Sequence, residues 1–140
     1  MACPPRIMAV AVAVSMAMCL VRAAPDVSVE DVGCTDDTYD PRDSMMYYPG
    51  VEHVLDDMAT VTANHPGYNF YTSAPYPLSD IIVHANCNVT LSVRDCITCL
   101  STAKTIMTTK CADKLAARMQ LKDCYMVYGP IGNITSKRTW

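Results

Sequence analysis

Apolar residues spaced three and four positions apart predict a first helix in this chain. They are Val51, Val54, Leu55 and Met58, which would share one helix face. Proline is favoured near a helix start, so we place this helix over roughly Pro49 to Ala63. The turn-forming residues Asn64-His65-Pro66-Gly67 end it.

A second helix is predicted by a longer run with the same spacing. Ser92 and Asp95 precede this run as a capping box, in which each side chain accepts a hydrogen bond from a free backbone amide. Helix two therefore extends from about Val93 to Lys110. Its apolar face comprises Cys96, Cys99, Leu100, Ala103, Ile106 and Met107.

Strands are predicted where β-branched and aromatic residues cluster between turn residues. A loop at Ala74-Pro75-Tyr76-Pro77 follows the first strand, and the second leads into Cys87. The last two strands flank Lys122-Asp123 and form a hairpin or a bulged pair. The four segments are Tyr68 to Thr72, Asp80 to Asn86, Ala117 to Leu121 and Tyr125 to Tyr128.

The remaining segments lack such patterns. Ala24 to Asp43 is acidic without an apolar period, which predicts an irregular arm before and around Cys34. Gly129-Pro130 ends the last strand pattern, and Ile131 to Trp140 is a polar tail. Helices and strands follow one another without a βαβ rhythm, so the fold class is α+β, with two helices packed on an antiparallel sheet.

Residues 1–23 have the pattern of a secretory signal peptide. Arg6 supplies the basic start, Ile7 to Val21 is almost unbroken apolar sequence, and small residues before Ala24 suit a cleavage site. The alternative is an uncleaved anchor, but the run is shorter than the roughly 20 apolar residues of a membrane span. Because no second long apolar segment follows, we expect a secreted, extracellular protein without a membrane anchor.

Removal of the signal changes the composition and the charge. The whole chain is 51% hydrophobic, with eight cysteines and a net charge of −3. Eleven acidic residues and one basic residue lie between Ala24 and Asp80, against three acidic and eight basic residues from Ile81 to Trp140. In total, acidic residues outnumber basic ones in the chain after the signal. This excess argues against nucleic-acid binding, which needs a basic surface. Lys104, Lys110 and Lys114 form either a basic binding face or a solvated helix face.

Six cysteines remain in the mature chain, and an even number in a secreted protein indicates disulfides. Cys87, Cys96 and Cys99 form the string C-x8-C-x2-C. Helical spacing places Cys96 and Cys99 on one side of helix two, so a Cys87–Cys96 bond would leave Cys99 for the C-terminal strands. Six cysteines allow many connectivities, and spacing alone leaves the choice open.

Enzyme chemistry has weak support in the sequence. Cys96-Ile-Thr-Cys99 has the spacing of a thiol-disulfide oxidoreductase, yet structural bonding within a set of six cysteines is the better interpretation. Zinc binding needs thiolates, which oxidation removes. His53, His65 and His84 show no ligand spacing. We therefore predict no catalytic residue, no metal site and no cofactor.

The cysteine string and two further segments resemble the ginkbilobin-type domain of plants, a cysteine-rich module of secreted antifungal proteins, plasmodesmata-located proteins and receptor-like kinase ectodomains. The segments are Gly67-Tyr68-Asn69-Phe70-Tyr71 and the stretch from Ala117 to Cys124. The similarity covers about Cys34 to Tyr128, so we divide the chain into a signal at 1–23, an arm at 24–33, the domain at 34–129 and a tail at 130–140. It implies two helices against a five-stranded antiparallel sheet, with bonds Cys34–Cys111, Cys87–Cys96 and Cys99–Cys124.

The resemblance also implies a site for sugar. The antifungal ginkbilobin binds mannose through an Asn directly after the first cysteine, an Arg six residues before the last and a Glu five residues after it. The corresponding residues here are Thr35, Arg118 and Gly129, so the Arg is kept and the Glu carboxylate is lost. Arg118 and Thr35 are therefore candidate carbohydrate-binding residues, and Asp36 or Asp37 can supply the missing oxygens.

Two sequons, at Asn88 and Asn133, permit N-glycosylation in the secretory pathway. Together these features predict a secreted plant defence or stress protein of the apoplast that acts by binding. One candidate partner is a mannose-type glycan, such as that of a fungal cell wall. The alternative is a non-lectin module whose partner is a cell-surface receptor, as a ligand or co-receptor in signalling.

Overall fold

The computed structural model describes residues 24–39, 44–74 and 80–131. The expected signal peptide, residues 75–77 of the predicted loop, Asn133 and the tail after Ile131 lie outside them. In chain order the elements are β1 (Val29–Cys34), α1 (Ser44–Asn64), a 3-10 turn (Pro66–Tyr68), β2 (Asn69–Ser73), β3 (Ile81–Cys87), α2 (Val93–Lys110), β4 (Ala117–Leu121) and β5 (Cys124–Pro130).

The five strands form one antiparallel sheet in the order β1-β4-β5-β3-β2. Both helices pack on the same face, and their apolar stripes bury the inward side chains of the sheet. The predicted α+β fold class is confirmed. Of the described helices, none is long and apolar enough to cross a membrane. The largest fully buried side chains include Leu55, Met58, Leu100, Met107, Met119 and Met126.

Helix α1 begins at Ser44 and not at Pro49, so its predicted start is wrong. Pro49 lies inside the helix, where it lacks the N–H that would bond to a carbonyl one turn earlier. Tertiary contact accounts for the extra turn. Tyr47 is buried, and its hydroxyl donates a hydrogen bond to the Leu115 carbonyl at 2.7 Å.

Helix α2 has the predicted bounds. Its start could be predicted because it depends on a local cap. The Ser92 side-chain oxygen accepts a hydrogen bond from the Asp95 backbone N–H at 3.1 Å. Asp95 lies in the first turn and Lys110 in the last, which complements the helix dipole at both ends.

Three strand predictions needed correction. The arm predicted to be irregular contains β1, whose residues Val29 to Asp31 are exposed and so carry no alternating pattern. Strand β2 begins at Asn69 because Tyr68 belongs to the preceding turn with φ 51°. Strand β5 continues through Gly129-Pro130, which pair with Ile82 and Ile81 of β3.

Three disulfides join these elements, and the described residues contain no free cysteine. They are Cys34–Cys111, Cys87–Cys96 and Cys99–Cys124, the same pairs that the family resemblance implies. Their Cα–Cα distances are 5.5, 5.7 and 6.0 Å. The bonds tie both ends of α2, and a residue in its second turn, to the sheet.

Candidate binding face of the sheet

The sheet surface opposite the helices, here called the outer face, carries two rows of residues that cross all five strands. Side chains alternate between the two faces of a strand, so the register of each strand pair places them. The first row is Tyr71, His84, Val127, Arg118 and Gly33, of which Val127 is only 1% exposed and Gly33 has no side chain. The second row is Asn69, Asn86, Tyr125, Gln120 and Asp31. Aromatic rings, amides and one charged pair therefore share this face.

Arg118 and Asp31 form an ion pair at the β1 side of the outer face. The Arg118 Nη2 atom lies 2.5 Å from Asp31 Oδ2, and the two side chains are 26% and 49% exposed. Arg118 pairs in register with Gly33, and Asp31 lies two residues earlier on the same strand. A guanidinium offers only donors and a carboxylate only acceptors. Together they provide both halves of a hydrogen-bonding contact with vicinal hydroxyls.

Tyr125 lies between this pair and the rings of the β2 edge. Burial raises its pKa, the nearby Arg118 charge partly offsets the rise, and Tyr71 and Asp31 add to it. Its phenol therefore stays protonated at physiological pH and can both donate and accept a hydrogen bond.

Tyr71 and His84 are cross-strand partners on β2 and β3, and their rings stack. The ring centroids are 3.7 Å apart with 5° between the planes, and Tyr125 meets His84 edge-on at 5.8 Å. Burial lowers the pKa of His84, so the imidazole is neutral near pH 7. Its Nε2 atom donates to Asn69 Oδ1 at 2.7 Å, because an amide oxygen can only accept.

Thr35 directly follows β1, and its hydroxyl is already used within the protein. The residue is 6% exposed. Its Oγ1 atom accepts from the Ala116 N–H at 3.2 Å and lies 3.3 Å from the Ala116 carbonyl. This candidate sugar ligand therefore holds two chain segments together.

Gly129, the third position of the sugar trio, contributes no side chain. The carboxylate beside Arg118 is that of Asp31, not of Asp36 or Asp37. Those two residues contact the segment before β4 through their backbone carbonyls, which accept from Lys114 Nζ and the Leu115 N–H. The sequence did not identify Asp31 as a site residue, because strand β1 shows no alternation of apolar and polar positions.

The two cysteines of the Cys96-Ile-Thr-Cys99 segment are bonded to other elements of the fold. Cys96 is bonded to Cys87 and Cys99 to Cys124, so the two do not form the internal disulfide of an oxidoreductase motif. Among the residues that the structure describes, no group of three His, Cys, Asp or Glu side chains is arranged to hold a metal ion.

These features define a small α+β domain with three disulfides and a polar, aromatic outer face. The sequence model of the family described as Salt stress response/antifungal matches residues 33–130. The chain belongs to this family. No match was found among curated proteins.

Among the solved structures that share the fold, two are tandem DUF26 ectodomains of cysteine-rich receptor-like proteins from Arabidopsis thaliana. The ectodomain of PDLP8 is 22% identical with a TM-score of 0.63, and the match covers 77% of this chain and 47% of that one. The ectodomain of PDLP5 is 22% identical with a TM-score of 0.60, and the match covers 73% and 49%. The chain thus spans about half the length of these ectodomains.

Proposed function

We propose that this protein is an extracellular plant defence or stress protein that binds a neutral, mannose-type carbohydrate on the outer face of its sheet. The Arg118–Asp31 ion pair is the observation that carries the proposal. The antifungal relative uses an Arg and a Glu for mannose, and Gly129 removes the Glu. Asp31, on strand β1, places a carboxylate beside the Arg118 guanidinium in place of the lost Glu.

The charges on this face favour a neutral ligand. Arg118 and Asp31 cancel each other, and His84 is neutral because burial lowers its pKa. Other polar groups on this face are the Asn86 amide, the Tyr125 phenol and the Gln120 side-chain oxygen, since Gln120 Nε2 already donates to the Leu121 and Cys124 carbonyls at 2.6 and 3.3 Å. Sugar hydroxyls bond to such groups in both directions, as donors and as acceptors.

Titration of mannose and yeast mannan into the oxidised protein by calorimetry tests this proposal. Asp31→Asn keeps the shape of the side chain but removes its charge, and we expect mannan affinity to fall at least tenfold, because a hydrogen bond to a charged group contributes about 1.5–3 kcal/mol. Lys122→Met is the matched control, since Lys122 pairs with Asp26 at 3.5 Å outside the two rows. Absence of saturable binding by the wild-type protein would refute carbohydrate recognition.

A second candidate is a non-lectin interaction module whose partner is a cell-surface receptor. It is favoured by the solved relatives, which are receptor-like ectodomains about twice the matched length. Fungal growth inhibition by the wild-type protein and by Arg118→Ala separates the two functions. Inhibition that is lost with Arg118 supports sugar recognition, whereas inhibition that survives the substitution supports a target other than sugar.

A further inference from the structure

The stacked rings at the β2 edge form a surface that the domain core does not require. Tyr71 lies on an edge strand and is 58% exposed. The neighbouring Phe70 and Thr72 point to the opposite side, towards α1. An exposed tyrosine of this kind contributes little to folding, because its ring remains in contact with water.

The Tyr71 ring is held in place before any ligand arrives. One face of the ring lies against His84, which is itself fixed by its hydrogen bond to Asn69. Because the residue is 58% exposed, its ring remains accessible to a ligand despite the contact with His84. A ring with a fixed orientation loses little conformational entropy on binding, which makes it an effective contact residue.

The rings and the charged pair are aligned across the strands. Tyr71, His84, Val127 and Arg118 follow one another in the first row, so three strand spacings separate Tyr71 from Arg118. At about 4.8 Å per spacing the separation is roughly 14 Å, which exceeds the width of one sugar ring. Between these ends lie the Tyr125 phenol, the Asn86 amide and the Gln120 side-chain oxygen in the second row, the Gln120 nitrogen being used by the Leu121 and Cys124 carbonyls.

We infer that Tyr71, positioned by His84, forms a second sugar subsite, and that the ligand is a neutral oligosaccharide lying across the strands from Tyr71 to the Arg118–Asp31 pair. This inference rests on the proposed carbohydrate binding and specifies the length of the ligand. The C–H groups on one face of a sugar ring are positively polarised and pack against the negative face of an aromatic ring. The polar groups along the two rows bond to the hydroxyls of the intervening units.

Calorimetric titration with mannose and with mannan-derived oligosaccharides of increasing length tests the subsite. We expect affinity to rise with length, and Tyr71→Ala to lower oligosaccharide affinity about tenfold and to remove most of the gain with length. Tyr71→Phe keeps the ring and should bind as the wild type does. Val93→Ala, at an exposed position on α2, is the control for loss of surface apolar area. Thermal melting of all variants checks that each remains folded.

Each outcome decides a different point. If the wild-type protein binds neither mannose nor oligosaccharide, carbohydrate recognition itself fails. If it binds both with equal affinity, or if Tyr71→Ala binds oligosaccharide as the wild type does, the subsite is refuted while the primary site stands. Measuring the oligomeric state of the wild type and of Tyr71→Ala by sedimentation completes the test. If the wild type is a dimer and the variant is a monomer, this surface binds a second copy of the chain. That result would overturn the inference.

Discussion

The Thr35 hydroxyl accepts a hydrogen bond from the Ala116 backbone N–H at 3.2 Å, and the Thr35 N–H donates to the Ala116 carbonyl at 3.1 Å. Thr35 follows the last residue of β1, and Ala116 precedes the first residue of β4. The residue that matches the Asn of the family's sugar site therefore continues the strand pairing beyond the sheet. Its side chain is held by the protein instead of being presented to a ligand.

Substitution Thr35→Val tests this structural role. The variant leaves the Ala116 N–H buried without its acceptor, so we expect the free energy of unfolding to fall by about 1–3 kcal/mol. Carbohydrate affinity should stay unchanged, because the hydroxyl does not face the ligand. Urea unfolding and mannan titration measure the two effects, and Thr35→Ser, which keeps the hydroxyl, is the control. A large loss of affinity without loss of stability would contradict the assignment.

The three disulfides should differ in how much they stabilise the fold. Cys34–Cys111 spans 77 residues and Cys87–Cys96 spans 9. The loop-entropy relation assigns them about 4.5 and about 2.6 kcal/mol, because a longer closed loop restricts the unfolded chain more. We expect the Cys34→Ala/Cys111→Ala pair to be about 2 kcal/mol less stable than the Cys87→Ala/Cys96→Ala pair in urea unfolding. Equal losses would show that loop length does not govern these bonds.

The buried tyrosines should make the protein less stable in alkaline solution. Burial, with a further contribution from Tyr39, raises the pKa of Tyr47 above its ordinary value of 10.0, and the Tyr47 hydroxyl donates to the Leu115 carbonyl. A group whose pKa is raised by folding stabilises the protein fully below its unfolded pKa. That contribution is lost as the pH rises through the folded value. The free energy of unfolding should therefore decline above about pH 10.

The variant Tyr47→Phe identifies the group responsible. It removes one hydrogen bond, so we expect a loss of about 0.5–1.5 kcal/mol at neutral pH. Its stability should also decline less steeply than that of the wild type in alkaline solution, as measured by urea unfolding at several pH values. Identical slopes for the two proteins would exclude Tyr47 as a source of the pH dependence.

The Asn88 sequon lies in an exposed turn after β3 and remains a predicted glycosylation site. The Asn88 Oδ1 atom accepts from the Thr90 N–H at 3.1 Å and from the Thr90 hydroxyl at 2.9 Å, while Nδ2 donates to Asp123 at 3.3 Å. A glycan replaces one of the two Nδ2 hydrogens, so the bond to Asp123 can persist.

Expression in a secretory eukaryotic host followed by mass spectrometry tests the use of this site. We expect Thr90→Ala to lose the mass of one glycan, and the neighbouring Val89→Ala, which keeps the sequon, to retain it. An unchanged mass in Thr90→Ala would show that Asn88 is not modified.

Spacing in the sequence determined the features that depend on near neighbours. The bounds of α2 follow from the Ser92 cap and an apolar period of three to four residues, and both are visible without a fold. The hairpin of β4 and β5 was predictable for the same reason, because its strands are separated by two turn residues. The C-x8-C-x2-C string supplied the family resemblance and, through it, the fold and the disulfide pairs.

Tertiary structure decided the features that depend on strand register. The exposed strand β1 forms because β4 offers it a pairing edge, and α1 gains its first turn because Tyr47 reaches the Leu115 carbonyl. Asp31 meets Arg118, and Tyr71 stacks on His84, only after the strands are aligned. These contacts join residues far apart in the chain, and a shift of register by one residue would turn each side chain to the opposite face.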